Sequence, residues 1–166
     1  MPLLSDIARR KKERYFLDPI PKDAAILEIG CGSKWVGEYL RGNGWTNYTG
    51  LDLFPPADVV GDVLKWRELG LKEASFDFVI AFEVLEHVDC IDAVYDLLKP
   101  GGRFLLTSPV PHMDWFMKTL EIVHLNQKRT SEHCNLTYFT KIPKFKPIEL
   151  KTVAGLAQWG VLEKPK

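Results

Sequence analysis

Glu28-Ile29-Gly30-Cys31-Gly32 ends the apolar run Ala24 to Ile29 and leads into Trp35 to Leu40. A short apolar run bounded by turn residues predicts a buried strand of a parallel sheet. Two glycines at its carboxyl end let the chain turn sharply and bring bare backbone against a ligand. Trp35 to Leu40 predicts a helix, closed by Gly42-Asn43-Gly44. In open α/β sheets ligands sit at the carboxyl ends of strands, near the switch in strand order. Amides exposed at the start of the following helix suit an anionic group, either phosphate or carboxylate.

The spacing around the glycines narrows the ligand. A dinucleotide fingerprint needs a third glycine at position 35 for close helix–strand packing, and Trp35 stands there. That bulk opposes a pyrophosphate-binding turn. Asn47 to Leu53 predicts a second strand, broken by Pro55-Pro56, with Asp52 near its end, 22 residues after Gly30. A carboxylate at that point can accept both hydroxyl protons of a ribose. Val59-Val60 predicts a third strand ending near Asp62, where a carboxylate suits an adenine amine. A turn-capping aspartate is the other reading for both.

Farther along, Phe76 to Phe82 predicts a fourth strand and Ile91 to Leu98 a helix ended by Pro100-Gly101-Gly102. Arg103 to Thr107 predicts a fifth strand. Alternating strands and helices imply a parallel sheet with helices on both faces. Asp114 to Leu125 has helical spacing, His133 to Thr140 is ambiguous, and Ile148 to Val153 with Gln158 to Leu162 suit a hairpin about Ala154-Gly155. Met1 to Leu17 reads as a helix with Leu3, Leu4, Ile7 and Tyr15 on one stripe. Arg9, Arg10, Lys11, Lys12 and Arg14 lie largely outside that stripe, and Asp18-Pro19-Ile20-Pro21 stops the helix.

Composition sets bounds. The chain has 166 residues, 46% hydrophobic and 27% charged, and suits one domain. Its 22 basic and 22 acidic side chains give no net push toward nucleic acid or membrane. No apolar run approaches the roughly 20 residues that span a bilayer, and the first residues lack a secretory signal pattern. Cys31, Cys90 and Cys134 are too few and too scattered for a disulfide framework or a zinc knuckle. A reducing, cytoplasmic setting is expected.

LEIGCG, then Asp52 in GLDL, then GDV at 61–63, resembles the class I, Rossmann-like S-adenosylmethionine-dependent methyltransferases. FDFVIAFEVLEHV at 76–88, LLKPGGRFLLTSP at 97–109 and WGVLEKP at 159–165 extend the resemblance from about Asp23 onward. It implies a three-layer α/β fold whose sheet is mostly parallel with an antiparallel last strand. It also implies a single domain over 1–166, with 1–20 as a helical arm and 110–140 as a substrate-facing insertion. By the same resemblance Glu28, Gly30, Cys31, Gly32, Asp52, Leu53, Asp62, Val63, Phe82 and Glu83 form the S-adenosylmethionine site. The methyl group is already activated by its sulfonium, so such a protein chiefly aligns it and excludes water.

Glu83, Glu86 and His87 fall at i, i+3 and i+4, on one face if a helical turn begins there. Three roles stay open. Glu86 and His87 hold neighbouring loops by hydrogen bonds, or His87 acts as a general base, or the set binds a divalent metal that acidifies a substrate hydroxyl. ExxEH resembles the metal motif of ubiquinone-pathway O-methyltransferases and small-RNA 2′-O-methyltransferases. Glu86 and His87 are the candidate catalytic residues, and His112 and His133 are candidates for a further metal ligand from the substrate side.

Ser108-Pro109-Val110-Pro111 departs from the Asn-Pro-Pro-aromatic turn that holds an amine, which favours an oxygen or carbon nucleophile on a small molecule. Trp115, Phe116 and Met117 either line its pocket or bury a helix. The basic N-terminal helix reads as a cofactor-covering arm, with contact to a phosphate-rich substrate as the other reading. The expected activity is methyl transfer to a small acceptor at oxygen. RNA or nucleotide methylation, a non-catalytic cofactor-binding module and an NAD-binding oxidoreductase are the alternatives.

Overall fold

The computed structural model of the chain describes residues 2–110 and 138–166. It opens with α1 (Pro2–Lys12), continued by one wider π-helical turn over Glu13–Leu17. Then come β1 (Ile26–Ile29), α2 (Trp35–Gly42), β2 (Tyr48–Asp52), β3 (Val59–Val60), β4 (Phe76–Phe82), α3 (Ile91–Leu97) and β5 (Leu98–Pro109). A closing hairpin of β6 (Lys146–Val153) and β7 (Ala157–Glu163) completes the described chain. The expected helix at Asp114 to Leu125, with Trp115, Phe116, Met117, His112, His133 and Cys134, lies outside the described residues.

The seven strands form one sheet in the order β3-β2-β1-β4-β5-β7-β6. Neighbours from β3 through β5 are parallel, and β7 runs antiparallel to both β5 and β6. After β1 the chain builds outward through β2 and β3, and then returns to add β4 and β5 on the other side. The switch point therefore falls at the turn that begins with Gly30.

Side-chain alternation along each strand sorts the core into two layers. Leu27, Ile29, Val79, Ala81, Phe104 and Leu106 pack on one face with Ala93, Val94 and Leu97 of α3. Ile26, Ile80, Leu105 and Trp159 pack on the other with Val36 and Leu40 of α2 and with Phe16 and Leu17 of the arm. Each buried Val, Leu, Ile or Phe among them contributes about 1.5–3 kcal/mol of burial free energy. Register brings the functional ends level. Ile29 pairs with Leu51 and with Ala81, Phe82 with Thr107, and Thr107 with Trp159. One sheet edge thus carries Asp52, the Gly30 turn, Phe82, Thr107 and Trp159 in sequence.

One strand boundary and one side-chain placement differ from the expectation. The fifth strand starts at Leu98 and runs through Pro100-Gly101-Gly102, with a register shift where it passes Phe76 to Phe78. The end of β7 explains this: the Gly101 amide donates to the Lys164 carbonyl at 2.8 Å and the Lys164 amide to the Gly102 carbonyl at 2.9 Å. Lys12 was expected on the outer face of the arm, yet its side chain is 16% exposed and reaches into the sheet edge.

Candidate active site

The turn after β1 is built from backbone. The Gly30 and Cys31 amides both donate to the Leu51 carbonyl, at 2.8 and 3.1 Å. Gly30 has φ +73°, and a Cβ there would stand 2.6 Å from Val84 Cγ2. Gly32 has φ +43°, but among the described residues a Cβ there would meet only the Gly30 carbonyl oxygen, at 4.0 Å. The first glycine is needed for packing, while the second leaves open space over bare backbone. The Gly32 amide donates to Asp52 Oδ2 at 2.9 Å, and the Phe54 amide to Asp52 Oδ1 at 3.2 Å. Two ionised carboxylate oxygens offer about four acceptor positions, so Asp52 retains capacity for further donors. Leu53, beside it, is 59% exposed.

Beneath the turn lies Glu28, with a partner, Tyr48, that sequence reasoning missed. Glu28 is 3% exposed and accepts the Tyr48 hydroxyl hydrogen bond. Burial pushes its carboxyl up to about 8; the Tyr48 hydrogen bond opposes this, and Asp52 and Asp58 add to it. Burial, with Glu28 and Asp52 nearby, also pushes the Cys31 thiol up to about 11, so Cys31 packs as a neutral side chain. Asp58 is the opposite case. Burial would raise it, but the Gly50 amide at 2.8 Å, Arg41 at 2.7 Å and Lys34 at 3.3 Å outweigh that and hold it below the usual range.

Asp62 caps the single turn Val63–Lys65, its Oδ1 accepting the Leu64 amide at 2.9 Å. That capping role is one of the two readings the sequence allowed. Val63 is buried in the core below.

At the ends of β4 and β5 the chain gathers a second polar group. Glu83 has φ +57°, and its amide donates to the Thr107 carbonyl at 2.9 Å. The Thr107 hydroxyl donates to Glu83 Oε1 at 2.7 Å. Lys12 Nζ lies 3.1 Å from both Glu83 Oε1 and Thr107 Oγ1, and 5.0 Å above the Phe82 ring. Glu86 is 1% exposed. Among the described residues its Oε2 has no hydrogen-bond partner, while the Ser108 hydroxyl bonds its carboxylate. Burial pushes the Glu86 carboxyl up to about 7, Glu83 adds to the rise, and Ser108 and Lys12 pull against it.

The single-face arrangement of Glu83, Glu86 and His87 does not form. The left-handed backbone at Glu83 precedes the turn, which closes only from Val84, through the His87 amide to the Val84 carbonyl at 2.9 Å. Glu83 therefore faces Lys12 and Thr107, Glu86 lies buried by Ser108, and His87 is half-buried. Among the described residues, no three histidine, cysteine or acidic side chains come together to hold a metal ion.

An aromatic row links these groups. Trp35 stacks on Phe82 with centroids 6.1 Å apart, Phe82 meets Phe16 at 5.0 Å, Phe16 meets Trp159 at 5.1 Å, and Trp159 meets Tyr15 at 5.3 Å. Trp35, in the position that a dinucleotide fold gives to glycine, thus anchors the site's wall.

The strand order and the glycine turn at its switch point define a Rossmann-like nucleotide-binding fold. A family model described as a methyltransferase domain matches residues 4–146. The chain belongs to that family, the class I S-adenosylmethionine-dependent methyltransferases. It is 31% identical over 103 residues to a ubiquinone biosynthesis O-methyltransferase of Xylella fastidiosa (strain M23), covering 51% of this chain and 42% of that protein. It is 36% identical over 118 residues to the highly reducing polyketide synthase cm3B of Cordyceps militaris, covering 52% of this chain and 5% of that protein. The chain thus spans less than half the length of these curated relatives. The crystal structure of the PH0226 protein from Pyrococcus horikoshii OT3 superimposes with a TM-score of 0.71 at 17% identity, over 98% of this chain and 91% of that one. This likeness concerns the fold alone. No helix among the described residues is long and apolar enough to cross a membrane.

Proposed function

We propose that this chain binds S-adenosylmethionine and catalyses transfer of its methyl group to an oxygen of a small-molecule acceptor. The observation that carries the reading is the Asp52–Gly32 pair: an acidic residue at the end of β2 tied to an open glycine backbone at the switch point. The residues present fit the cofactor. The space over Gly32 admits its amino-acid end, the remaining acceptor positions of Asp52 suit ribose hydroxyls, and the exposed Leu53 with Asp62, set over the buried Val63, suits an adenine. Phe82 and Glu83 border the same edge. Glu28 and Cys31 shape the turn from below.

When bound, S-adenosylmethionine supplies a methyl group made electrophilic by the positive sulfur. The protein's own part is to align the acceptor, keep water out and take up a proton. Glu86 is the residue for the proton: a buried carboxylate balanced near neutrality accepts one from a hydroxyl acceptor. His87 positions the turn that holds Glu86. Oxygen as the acceptor atom is supported by the likeness to a ubiquinone biosynthesis O-methyltransferase and by Ser108-Pro109 in place of an amine-holding turn.

The test is a calorimetric titration with S-adenosylmethionine and, separately, with a nicotinamide dinucleotide. Saturable binding of the first alone is expected. Binding of neither, or of the dinucleotide alone, overturns the reading. Mass analysis of candidate hydroxyl acceptors then shows whether one methyl group is gained.

A further inference from the structure

We propose that the cavity between the arm and the closing hairpin binds a phosphorylated small molecule, whose phosphate is held by Lys11, Arg14 and Lys151. The cavity measures about 510 Å³ and is lined by these three cations with Tyr15, Val153 and Trp159. That volume lies within the roughly 300–1,000 Å³ of ordinary small-molecule sites. It opens beside the sheet edge already described, since Trp159 pairs with Thr107.

Three features call for an anion. First, none of the three cations makes an ion pair or hydrogen bond among the described residues, although six other lysines and arginines of the chain do form ion pairs there. Like charges gathered at one cavity repel unless a counter-charge joins them. Second, Lys151 Nζ lies 3.0 Å above the Tyr15 ring centroid and 4.9 Å from that of Trp159. Burial holds its ammonium below the usual range, with Glu149 opposing, so a bound anion would recover lost solvation. Third, the buried Tyr15 hydroxyl finds no close hydrogen-bond partner among the described residues, the Glu149 carboxylate being the group toward which it donates.

Charge balance selects phosphate. Three cations against Glu149 leave an excess near two, matching the roughly −1.5 to −2 of a phosphate monoester at pH 7. The Arg14 fork suits paired phosphate oxygens. A small ligand is favoured over single-stranded RNA because RNA binders need exposed ring faces on which bases stack. Here Lys151 already covers the faces of Tyr15 and Trp159. The assignment does not depend on methyl transfer.

The experiment titrates the wild-type chain with inorganic phosphate, pyrophosphate and an eight-nucleotide single-stranded RNA, by calorimetry and by tryptophan fluorescence. Thermal unfolding checks that each variant is folded. Saturable binding of pyrophosphate is expected, weakened about tenfold or more by Lys151→Met, which keeps the stem over the rings, and similarly by the exposed Arg14→Ala. No saturable binding of either inorganic anion overturns the proposal. So does equal affinity in folded variants, or RNA binding without binding of the small anions.

Discussion

The Gly32 amide and Asp52 Oδ2 are joined by a 2.9 Å hydrogen bond that ties the end of β2 to the turn after β1. The bond orients the carboxylate at the switch in strand order between β1 and β4. Removing the carboxylate therefore removes both a fixed negative charge and a brace for the turn. Hydrogen bonds to a charged group are worth about 1.5–3 kcal/mol. Asp52→Ala is expected to weaken S-adenosylmethionine binding by roughly 10- to 100-fold in a calorimetric titration. An unchanged affinity would mean that the ligand lies elsewhere.

The two glycines make separable predictions. Both sit at positive φ, which costs a non-glycine residue about 1–2 kcal/mol. At Gly30 a Cβ adds a 2.6 Å collision with Val84, but at Gly32 it meets nothing nearer than 4.0 Å among the described residues. Gly30→Ala is expected to lower the unfolding midpoint sharply. Gly32→Ala is expected to cost only the backbone strain while weakening S-adenosylmethionine binding, because its methyl group occupies the open space. Thermal unfolding and titration on both variants separate these effects.

What the sequence displayed follows from how local each signal is. β1, β2 and β4 were legible because buried parallel strands are apolar runs, and the glycines mark where β1 ends. The β6–β7 hairpin was legible from turn residues and spacing. The start of β5 was not, because Pro100-Gly101-Gly102 has turn chemistry and becomes strand only through Lys164, some sixty residues on. Tyr48 under Glu28 and Asp58 under Gly50 carry no local pattern, since their partners come from other elements. Lys12 was read as surface because helical periodicity says nothing of where a long flexible stem sends its ammonium.

Glu86 links the site to pH. Its carboxyl is raised from 4.5 to about 7 in the folded chain. The folded state therefore holds a proton that the unfolded chain has released, and stability falls as pH rises through that window. Glu86→Gln mimics the protonated acid at every pH. Its stability relative to wild type is expected to grow by about 1–3 kcal/mol between pH 5 and pH 8. Glu28 titrates in an overlapping window but is common to both proteins, so it cancels in the difference. Denaturant unfolding across that range gives the measurement, and a flat difference would show that Glu86 is ionised throughout.

The same carboxylate reports on the arm. Lys12 pulls the Glu86 carboxyl down while sitting 3.1 Å from Glu83 Oε1. Lys12→Met keeps an apolar stem over the Phe82 ring but deletes the charge. The lost ion pair costs about 1 kcal/mol or less, since Glu83 is partly solvated. The larger effect is electrostatic: the Glu83 charge still raises the Glu86 carboxyl, and the Lys12 charge no longer pulls against it. The window in which Glu86→Gln gains on its parent is expected to move to higher pH in the Lys12→Met background. If Glu86 is the proton acceptor, the rising limb of the methyl-transfer rate against pH moves the same way, because ionised Glu86 then appears only at higher pH. A window that stays in place would mean that the arm covers the sheet edge without acting on its charge. A window that moves while the rate limb does not would take the proton away from Glu86 and leave its carboxyl as a structural acid beneath the turn.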